Sequence, residues 1–154
     1  MAYYNCRSFS GLIIKRFTPL KSHCKVFCNG KIVVNGATSE RGARALADKY
    51  CQIIQGAGYP AVSVKDFKIV NIIATFNFGH IIRLSEVYNH LHSPEAKSFT
   101  KSISFEPEFF PALFVKLENV TCALFHSGKC NILGAKSELD VQAAELDFRI
   151  ITDQ

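Results

Sequence analysis

Residues 27–40 read FCNGKIVVNGATSE, and residues 125–138 read FHSGKCNILGAKSE. The two stretches align without a gap at an offset of 98 residues, which also pairs Tyr50 with Phe148. A second pair of stretches, YNCRSFSGLIIK from Tyr4 and FEPEFFPALFVK from Phe105, aligns at an offset of 101 residues. A period near 100 residues is too long for a solenoid unit of roughly 20–50 residues. The sequence therefore predicts two structural halves joined in one body.

Each copy contains the pattern of a strand followed by a helix. In the first copy, residues 31–35 form a strand, Thr38 or Ser39 caps the helix, and Gly56 and Gly58 end it. Apolar residues recur between these signals at helical spacing: Ala43, Leu46, Tyr50, Ile53 and Ile54. The second copy repeats the pattern with a strand at residues 129–133, a cap at Ser137 and an apolar stripe of Val141, Ala144, Phe148 and Ile151.

Two more strands precede each of these, at residues 9–16 and 24–27 and at residues 110–117 and 121–125. Each half is therefore predicted to be an antiparallel sheet with a long helix across one face. In the first half, alternation assigns to the helix-covered face Leu12, Ile14, Val26, Ile32 and Val34. The other face receives Phe9, Gly11, Ile13, Lys15, Phe27, Lys31, Val33 and Asn35. Because a solvated face is normally more charged, this face is expected to bind something. A partner protein and nucleic acid both remain open as its occupant.

Composition places limits on the class of protein. The chain has 154 residues and 48% hydrophobic content, which suits one domain or two small halves sharing a sheet. No apolar run approaches the roughly 20 residues of a membrane span, and no export signal is recognisable, so we expect no membrane partner and free thiols at the six cysteines.

The charges are distributed unevenly along the chain. Residues 1–77 contain eleven Lys and Arg against three Asp and Glu, whereas residues 78–154 contain seven Lys and Arg against ten Asp and Glu. The basic half suggests a polyanion as partner, although such a surplus is also typical of a solvated surface.

Signatures of catalysis and of metal binding are weak. Cys24 and Cys28 are not accompanied by a second pair at zinc-ligand spacing, and His90 and His92 would lie on different faces of a helix. The NGK and SGK turns lack the remaining glycines of a phosphate-binding loop. We therefore predict neither an enzyme nor a cofactor.

The repeated stretches resemble the core domain of the TATA-box-binding protein family, each of whose two repeats contains a motif like F-x-S-G-K-x-V-x-T-G-A-K-S-E before a long helix. YNCRSF, DFKIVNI and EPEFFPALF fit the family as well, and the resemblance runs from about residue 3 to 151. It implies an α+β fold: a TBP-like saddle of two direct repeats of curved antiparallel sheet, with helices on the convex face. The repeats are expected at residues 1–62 and 63–154, together forming one saddle domain.

The resemblance implies a transcription initiation factor that binds A·T-rich promoter DNA in the minor groove and bends it. Phenylalanine pairs wedge into base steps in this family, and the matching residues are Phe9, Phe27, Phe110 and Phe125. The matching groove-facing residues are Asn71, Ile73 and Val33, and the matching cations are Lys15, Lys31, Lys116 and Lys129. Asn35, Leu133, Asn131, Lys25 and Ala123 depart from the family's groove-facing threonines, valine and leucines. We therefore expect a more polar surface with relaxed or altered sequence preference.

Protein partners are also implied. Glu106, Glu108 and Phe109 match the loop that TFIIB grips, so a TFIIB-like factor is expected. On the first-repeat helix Arg44 and Lys49 stay basic while other family cations are absent, which leaves a TFIIA-like contact open. The expected location is the nucleus, or the site of viral transcription for a viral source.

The first repeat lacks the opening strand and helix that residues 67–92 supply in the second, and with them the partner of Asn71. A fragment of a longer protein is favoured over a shortened relative, because an unpaired strand edge is a liability. The alternative function is an interaction module of the same family with weak or altered DNA specificity.

Overall fold

The computed structural model describes residues 1–5, 7 and 9–152. The chain divides into two compact units, Met1–Lys68 and Ile69–Gln154. The first unit contains a four-stranded antiparallel sheet and one helix. In chain order its elements are β1 (Ala2–Tyr3), β2 (Leu12–Arg16), β3 (Ser22–Val26), β4 (Ile32–Asn35) and α1 (Glu40–Gly56). The strands are hydrogen-bonded in the order β1-β2-β3-β4.

The second unit contains a five-stranded antiparallel sheet and three helices. Its elements are β5 (Ile72–Asn77), α2 (Leu84–His90), α3 (Pro94–Lys97), β6 (Ser102–Phe105), β7 (Ala112–Lys116), β8 (Thr121–Phe125), β9 (Lys129–Ala135) and α4 (Glu138–Thr152). The strand order is β5-β9-β8-β7-β6. At the repeat offsets β6 to β9 and α4 correspond to β1 to β4 and α1. β5 has no counterpart in the first unit. It pairs with β9 at the edge of the second sheet, whereas among the described residues no strand pairs with the free edge of β4, the equivalent of β9.

The helix of each unit covers one face of its own sheet, as the alternation predicts. In the first unit Ile14, Cys24 and Tyr50 are buried together, and the residues packed around them are Leu12, Val26, Ile32, Val34 and Ile54. The prediction for the helix-covered face is therefore confirmed. Of the two neighbouring isoleucines in the apolar pattern of α1, Ile54 packs against the sheet, whereas the side chain of Ile53 is 38% exposed.

The second unit has the larger core. Phe148 and Ala144 of α4 pack on Leu124, Cys130 and Ile132, and α2 adds residues such as Leu84 to the same layer. Val141 packs against this core as predicted. The side chain of Ile151, the last residue of the predicted stripe, lies outside the described part of the chain.

The regular strands are shorter than predicted, because the phenylalanines that precede them take part in turns. The amide of Phe9 donates to the carbonyl oxygen of Asn5 at 3.0 Å, and the amide of Phe110 donates to that of Glu106 at 3.0 Å. Pro111 has no amide hydrogen to give to the ladder. Strands β2 and β7 therefore start at Leu12 and Ala112, and the two phenylalanines stand just outside the sheet ladder.

The repeated glycine-lysine motif forms the same tight turn twice. The amide of Gly30 donates to the carbonyl oxygen of Phe27 at 3.0 Å, and the amide of Gly128 donates to that of Phe125 at 2.9 Å. The φ angles of Gly30 and Gly128 are +81° and +82°, which glycine adopts without steric cost. Each turn holds a phenylalanine at the end of β3 or β8.

One buried contact differs between the repeats in a coordinated way. In the first unit the hydroxyls of Ser22 and Tyr50 are 2.9 Å apart, and both residues are buried. The corresponding residues of the second unit are Val120 and Phe148, which are also buried and carry no hydroxyl. The position between sheet and helix is thus filled by a hydrogen-bonded polar pair in the first unit and by an apolar pair in the second unit.

Tyr50→Phe is expected to lower the free energy of unfolding by about 1–3 kcal/mol, because the buried Ser22 hydroxyl loses its hydrogen-bond partner. The double variant Ser22→Val/Tyr50→Phe copies the second-unit pair and is expected to recover most of this loss. Urea unfolding of the two single variants and the double variant measures the coupling. Strictly additive losses in the double variant would contradict this explanation.

Cys24, Cys28, Cys51, Cys122 and Cys130 are free thiols, and Cys6 lies outside the described residues. Burial raises the pKa of the Cys24 thiol to about 11. Among the described residues no helix combines the length and apolarity that crossing a bilayer requires.

Candidate nucleic-acid interface

Each sheet has a second face that its helix does not cover, here called the open face. In the first unit the cross-strand partners on this face form two rows, Ile13–Lys25–Val33 and Lys15–His23–Asn35. In the second unit the corresponding rows are Phe114–Ala123–Asn131–Thr75 and Lys116–Thr121–Leu133–Ile73. The site residues predicted on strands β2, β4, β5, β7 and β9 all belong to these rows, except Lys129. Lys129 lies two residues before Asn131 on β9 and so faces the same side of the sheet.

A pair of phenylalanine rings stands at the end of each open face. The ring centroids of Phe9 and Phe27 are 5.6 Å apart, and those of Phe110 and Phe125 are 6.1 Å apart. Both pairs have an interplanar angle of 63°, which is an edge-to-face contact. Phe110 is 47% exposed, and the other three rings are half-buried. The structure therefore brings together, within each unit, the two residues that the resemblance predicts as wedges.

The surroundings of the two ring pairs differ. In the second unit Phe114 lies 5.4 Å from Phe110 between ring centroids and adds a third aromatic side chain, beside the buried Ala123. In the first unit the residue equivalent to Phe114 is Ile13. There the ammonium nitrogen of Lys25 lies 5.5 Å from the centroid of the Phe9 ring. The open face is thus more aromatic in the second unit and more cationic in the first.

Charge on the sheets is of one sign. None of the nine described strands contains an aspartate or glutamate, whereas they contain Lys15, Arg16, Lys25, Lys116 and Lys129. The described carboxylates all lie on helices and in loops. An apolar surface with cations and without carboxylates is suited to a polyanion that also presents flat, apolar groups.

The polar groups of the open faces are partly paired. The hydroxyl of Thr75 donates to the side-chain oxygen of Asn131 at 3.0 Å, and the side-chain nitrogen of Asn35 lies 3.3 Å from the ring Nε2 of His23. Leu133 is the cross-strand partner of Ile73, and this apolar pair adjoins the Thr75–Asn131 pair. Asn71 is exposed and immediately precedes β5. Polar side chains that can form hydrogen bonds are therefore present on β5, on β9 and at Asn71, at the β5 edge of the second sheet.

The predicted protein-contact residues lie in the turn between β6 and β7. The amides of Phe109 and Phe110 both donate to the carbonyl oxygen of Glu106 at 3.0 Å, which closes the turn. Glu106 and Glu108 are exposed, and the Phe109 ring is 84% exposed. A hollow of about 150 Å³ adjoins the turn, lined by Ser104, Glu106, Phe109, Phe110, Ala112 and Phe114.

Several open-face residues were not singled out from the sequence: His23, Thr75, Ala112, Phe114 and Thr121. Strand alternation together with the repeat offset was the available signal, because Phe114 and Thr121 are the equivalents of Ile13 and His23. Lys25 was recognised as a departure from the family. Its position against Phe9 requires the tertiary structure.

Comparisons with known proteins agree with this geometry. The sequence model of the family described as "Transcription factor TFIID (or TATA-binding protein, TBP)" matches residues 1–57 and 66–152. The chain is 36% identical to TATA-box-binding protein 1 of Triticum aestivum, over 99% of this chain and 62% of that protein. It is 37% identical to TATA-box-binding protein 2 of Arabidopsis thaliana, over 93% of this chain and 68% of that protein.

The structure is similar to that of Methanococcus jannaschii TBP, with a TM-score of 0.75 and 28% identity over 99% of this chain and 82% of that one. The chain thus spans somewhat less than two thirds of the wheat relative's length and most of the archaeal chain. The predicted α+β class and TBP-like fold are confirmed. The chain belongs to the TATA-binding protein family.

Proposed function

We propose that this protein is a general transcription initiation factor that binds A·T-rich promoter DNA in the minor groove and bends it. The observation that carries the proposal is the pair of edge-to-face phenylalanines at the same position in both repeats, 5.6 and 6.1 Å apart. Apolar wedges of this kind enter base steps and kink the duplex. Unstacking costs a few kcal/mol per step and is offset by the added contact with the widened groove.

The charge and chemistry of the open faces support DNA as the occupant. Lys15, Lys31, Lys116 and Lys129 are exposed cations that reach phosphates in this proposal, and the absence of carboxylates from the described strands avoids repulsion. Asn71, Ile73, Val33, Asn35, Asn131 and Leu133 are the proposed groove-facing residues. A·T-rich sites are favoured because TA steps bend at low cost and lack the guanine amino group.

The remaining parts of the proposal concern organisation and partners. The two repeats, residues 1–62 and 63–154, each contact one half of the site. Glu106, Glu108 and Phe109 recruit a TFIIB-like factor, and a TFIIA-like contact at Arg44 and Lys49 is the weaker expectation. The protein acts in the nucleus, or at the site of viral transcription, and has no catalytic role or cofactor.

Affinity for duplexes of different sequence tests this function. Anisotropy of a labelled A·T-rich duplex and of a G·C-rich duplex is measured over a series of salt concentrations. We expect tighter binding to the A·T-rich duplex at every salt concentration, and a logarithm of the binding constant that falls linearly with the logarithm of salt. Equal affinity for both duplexes would contradict promoter recognition.

A second candidate is the interaction module, favoured by specific side chains of the open faces. Asn131 already accepts a hydrogen bond from Thr75, and Leu133 has no hydrogen-bonding group to offer a base. In this alternative the open faces bind an acidic protein surface that imitates DNA. Weak binding to both duplexes, together with tight binding of an acidic protein ligand, would favour it.

Lys25→Leu is expected to make the protein more selective for A·T pairs and less sensitive to salt. The ammonium group of lysine finds an acceptor in any base pair, whereas leucine leaves a guanine amino group without a partner. Loss of one cation lowers the slope of log affinity against log salt by about 1. Lys49→Ala, which removes a cation from the exposed side of α1, serves as the matched control. An unchanged A·T preference in Lys25→Leu would contradict the role given to Lys25.

A further inference from the structure

The outer side of α4 carries an apolar stripe that the fold does not require. Leu139, Ala143, Leu146 and Ile150 follow one another at spacings of four, three and four residues, which places them on one line along the helix. Leu139, Leu146 and Ile150 are 74%, 61% and 51% exposed. The buried side of the same helix, with Ala144 and Phe148, points the opposite way into the core.

The first repeat provides an internal comparison. At the offset of 98 residues, the outer side of α1 has Arg41, Ala45, Asp48 and Gln52 in place of these four residues. Both helices cover a sheet in the same way, so packing alone permits charged and polar residues at these positions. Single exposed apolar side chains are common on protein surfaces, but a continuous line of apolar residues over three helical turns indicates an interaction site.

Charges beside the stripe restrict the occupant. Glu138, Asp140, Glu145 and Asp147 flank it, against the single cation Arg149. The Asp140 carboxylate accepts the amide hydrogens of Lys136 and Ser137, and Glu145 pairs with Arg149 at 3.0 Å. Glu138 and Asp147, on opposite sides of the stripe, form no ion pair within the described part of the chain. Two α4 helices packed along this line would bring carboxylates together, which is unfavourable.

We propose that the stripe of α4 is a docking surface for an amphipathic helix of a partner protein, whose apolar side is flanked by lysine or arginine. The apolar side chains of the stripe provide the hydrophobic contact, and the flanking carboxylates select the cationic partner and its orientation. The stripe lies on the helix side of the second sheet, so the helix and the ligand of the open face bind to different surfaces of this unit.

A synthetic helix tests this inference. The probe is a labelled peptide with leucine along one side and lysine and arginine at the flanks; a second probe has glutamate at the flanks. The test variant, Leu139→Arg/Leu146→Asp/Ile150→Gln, carries the α1 residues at these positions, and Leu146→Gln alone is a milder version. Thermal unfolding of each variant verifies that the fold is intact.

We expect the cationic probe to bind the unaltered chain and to bind the triple variant at least about tenfold more weakly. The glutamate-flanked probe should bind the unaltered chain about tenfold more weakly than the cationic probe does. Leu146→Gln should give an intermediate loss. Equal binding of both probes, or of the cationic probe to the unaltered chain and the triple variant, would overturn the proposal. Sedimentation that shows a dimer for the unaltered chain and a monomer for the triple variant would assign the stripe to a second copy instead.

Discussion

Replacing Phe110 and Phe125 by alanine is expected to abolish DNA bending while the protein stays folded. The two rings lie 6.1 Å apart at the end of the second open face, and Phe110 is 47% exposed, so the core does not depend on it. Without the rings no apolar group enters the base step, so no protein contact offsets the free-energy cost of unstacking the bases. Affinity for the duplex should fall by about tenfold or more, which corresponds to a loss of at least about 1.4 kcal/mol of binding free energy.

Energy transfer between labels at the two ends of a short duplex measures this bend. Phe99→Ala is the matched control, because Phe99 is 54% exposed in the segment between α3 and β6 and belongs to neither cross-strand row of the second open face. The first-unit variant Phe9→Ala/Phe27→Ala should lose bending in the same way. If the Phe110→Ala/Phe125→Ala protein still bends the duplex as the unaltered chain does, these residues are not wedges.

Glu108→Arg is expected to abolish the complex with a TFIIB-like factor and to leave DNA bending unchanged. The proposed contact is an exposed turn that contains Glu106, Glu108 and the ring of Phe109, which is 84% exposed. Reversing one charge there opposes a cationic partner surface, and like charges across an interface cost several kcal/mol. Because Glu108 lies in the turn and not in an open-face row, the duplex contact should be preserved.

Mobility shift of the duplex complex, with and without a TFIIB-like factor from the same organism, measures recruitment. Glu118→Arg is a charge-matched control in another turn of the same unit, where Glu118 forms an exposed ion pair with Lys101 at 2.8 Å that contributes little to stability. A ternary complex of normal affinity with Glu108→Arg would exclude the turn as the recruiting site. So would an equal loss with Glu118→Arg.

The layered fold was predictable because residues of the first unit's strands alternate between the two faces of the sheet. Leu12, Ile14 and Val26 on one side, with Ile13 and Lys15 on the other, assign the two faces without knowledge of any partner. The repeat offset extends this assignment to the second unit. Helix spacing was less decisive, since Ile53 and Ile54 fit the apolar stripe of α1 equally well and only packing selects Ile54.

The strand ends and the side-chain contacts of the site could not be predicted in the same way. The turn hydrogen bonds of Phe9 and Phe110 remove these residues from the ladder, although their alternation continues that of the strands. Contacts between residues distant in sequence, such as Lys25 with Phe9 and Ser22 with Tyr50, depend on how two elements approach each other. No local pattern encodes that approach.

Bending of three end-labelled duplexes tests minor-groove recognition most directly. Their cores contain A·T pairs, G·C pairs, or inosine·C pairs, which lack the guanine amino group and therefore present the minor groove of A·T with the major groove of G·C. We expect the protein to bend the A·T and inosine·C duplexes alike and to leave the G·C duplex straight. Bending of the A·T duplex alone, or of all three equally, would contradict recognition through the minor groove.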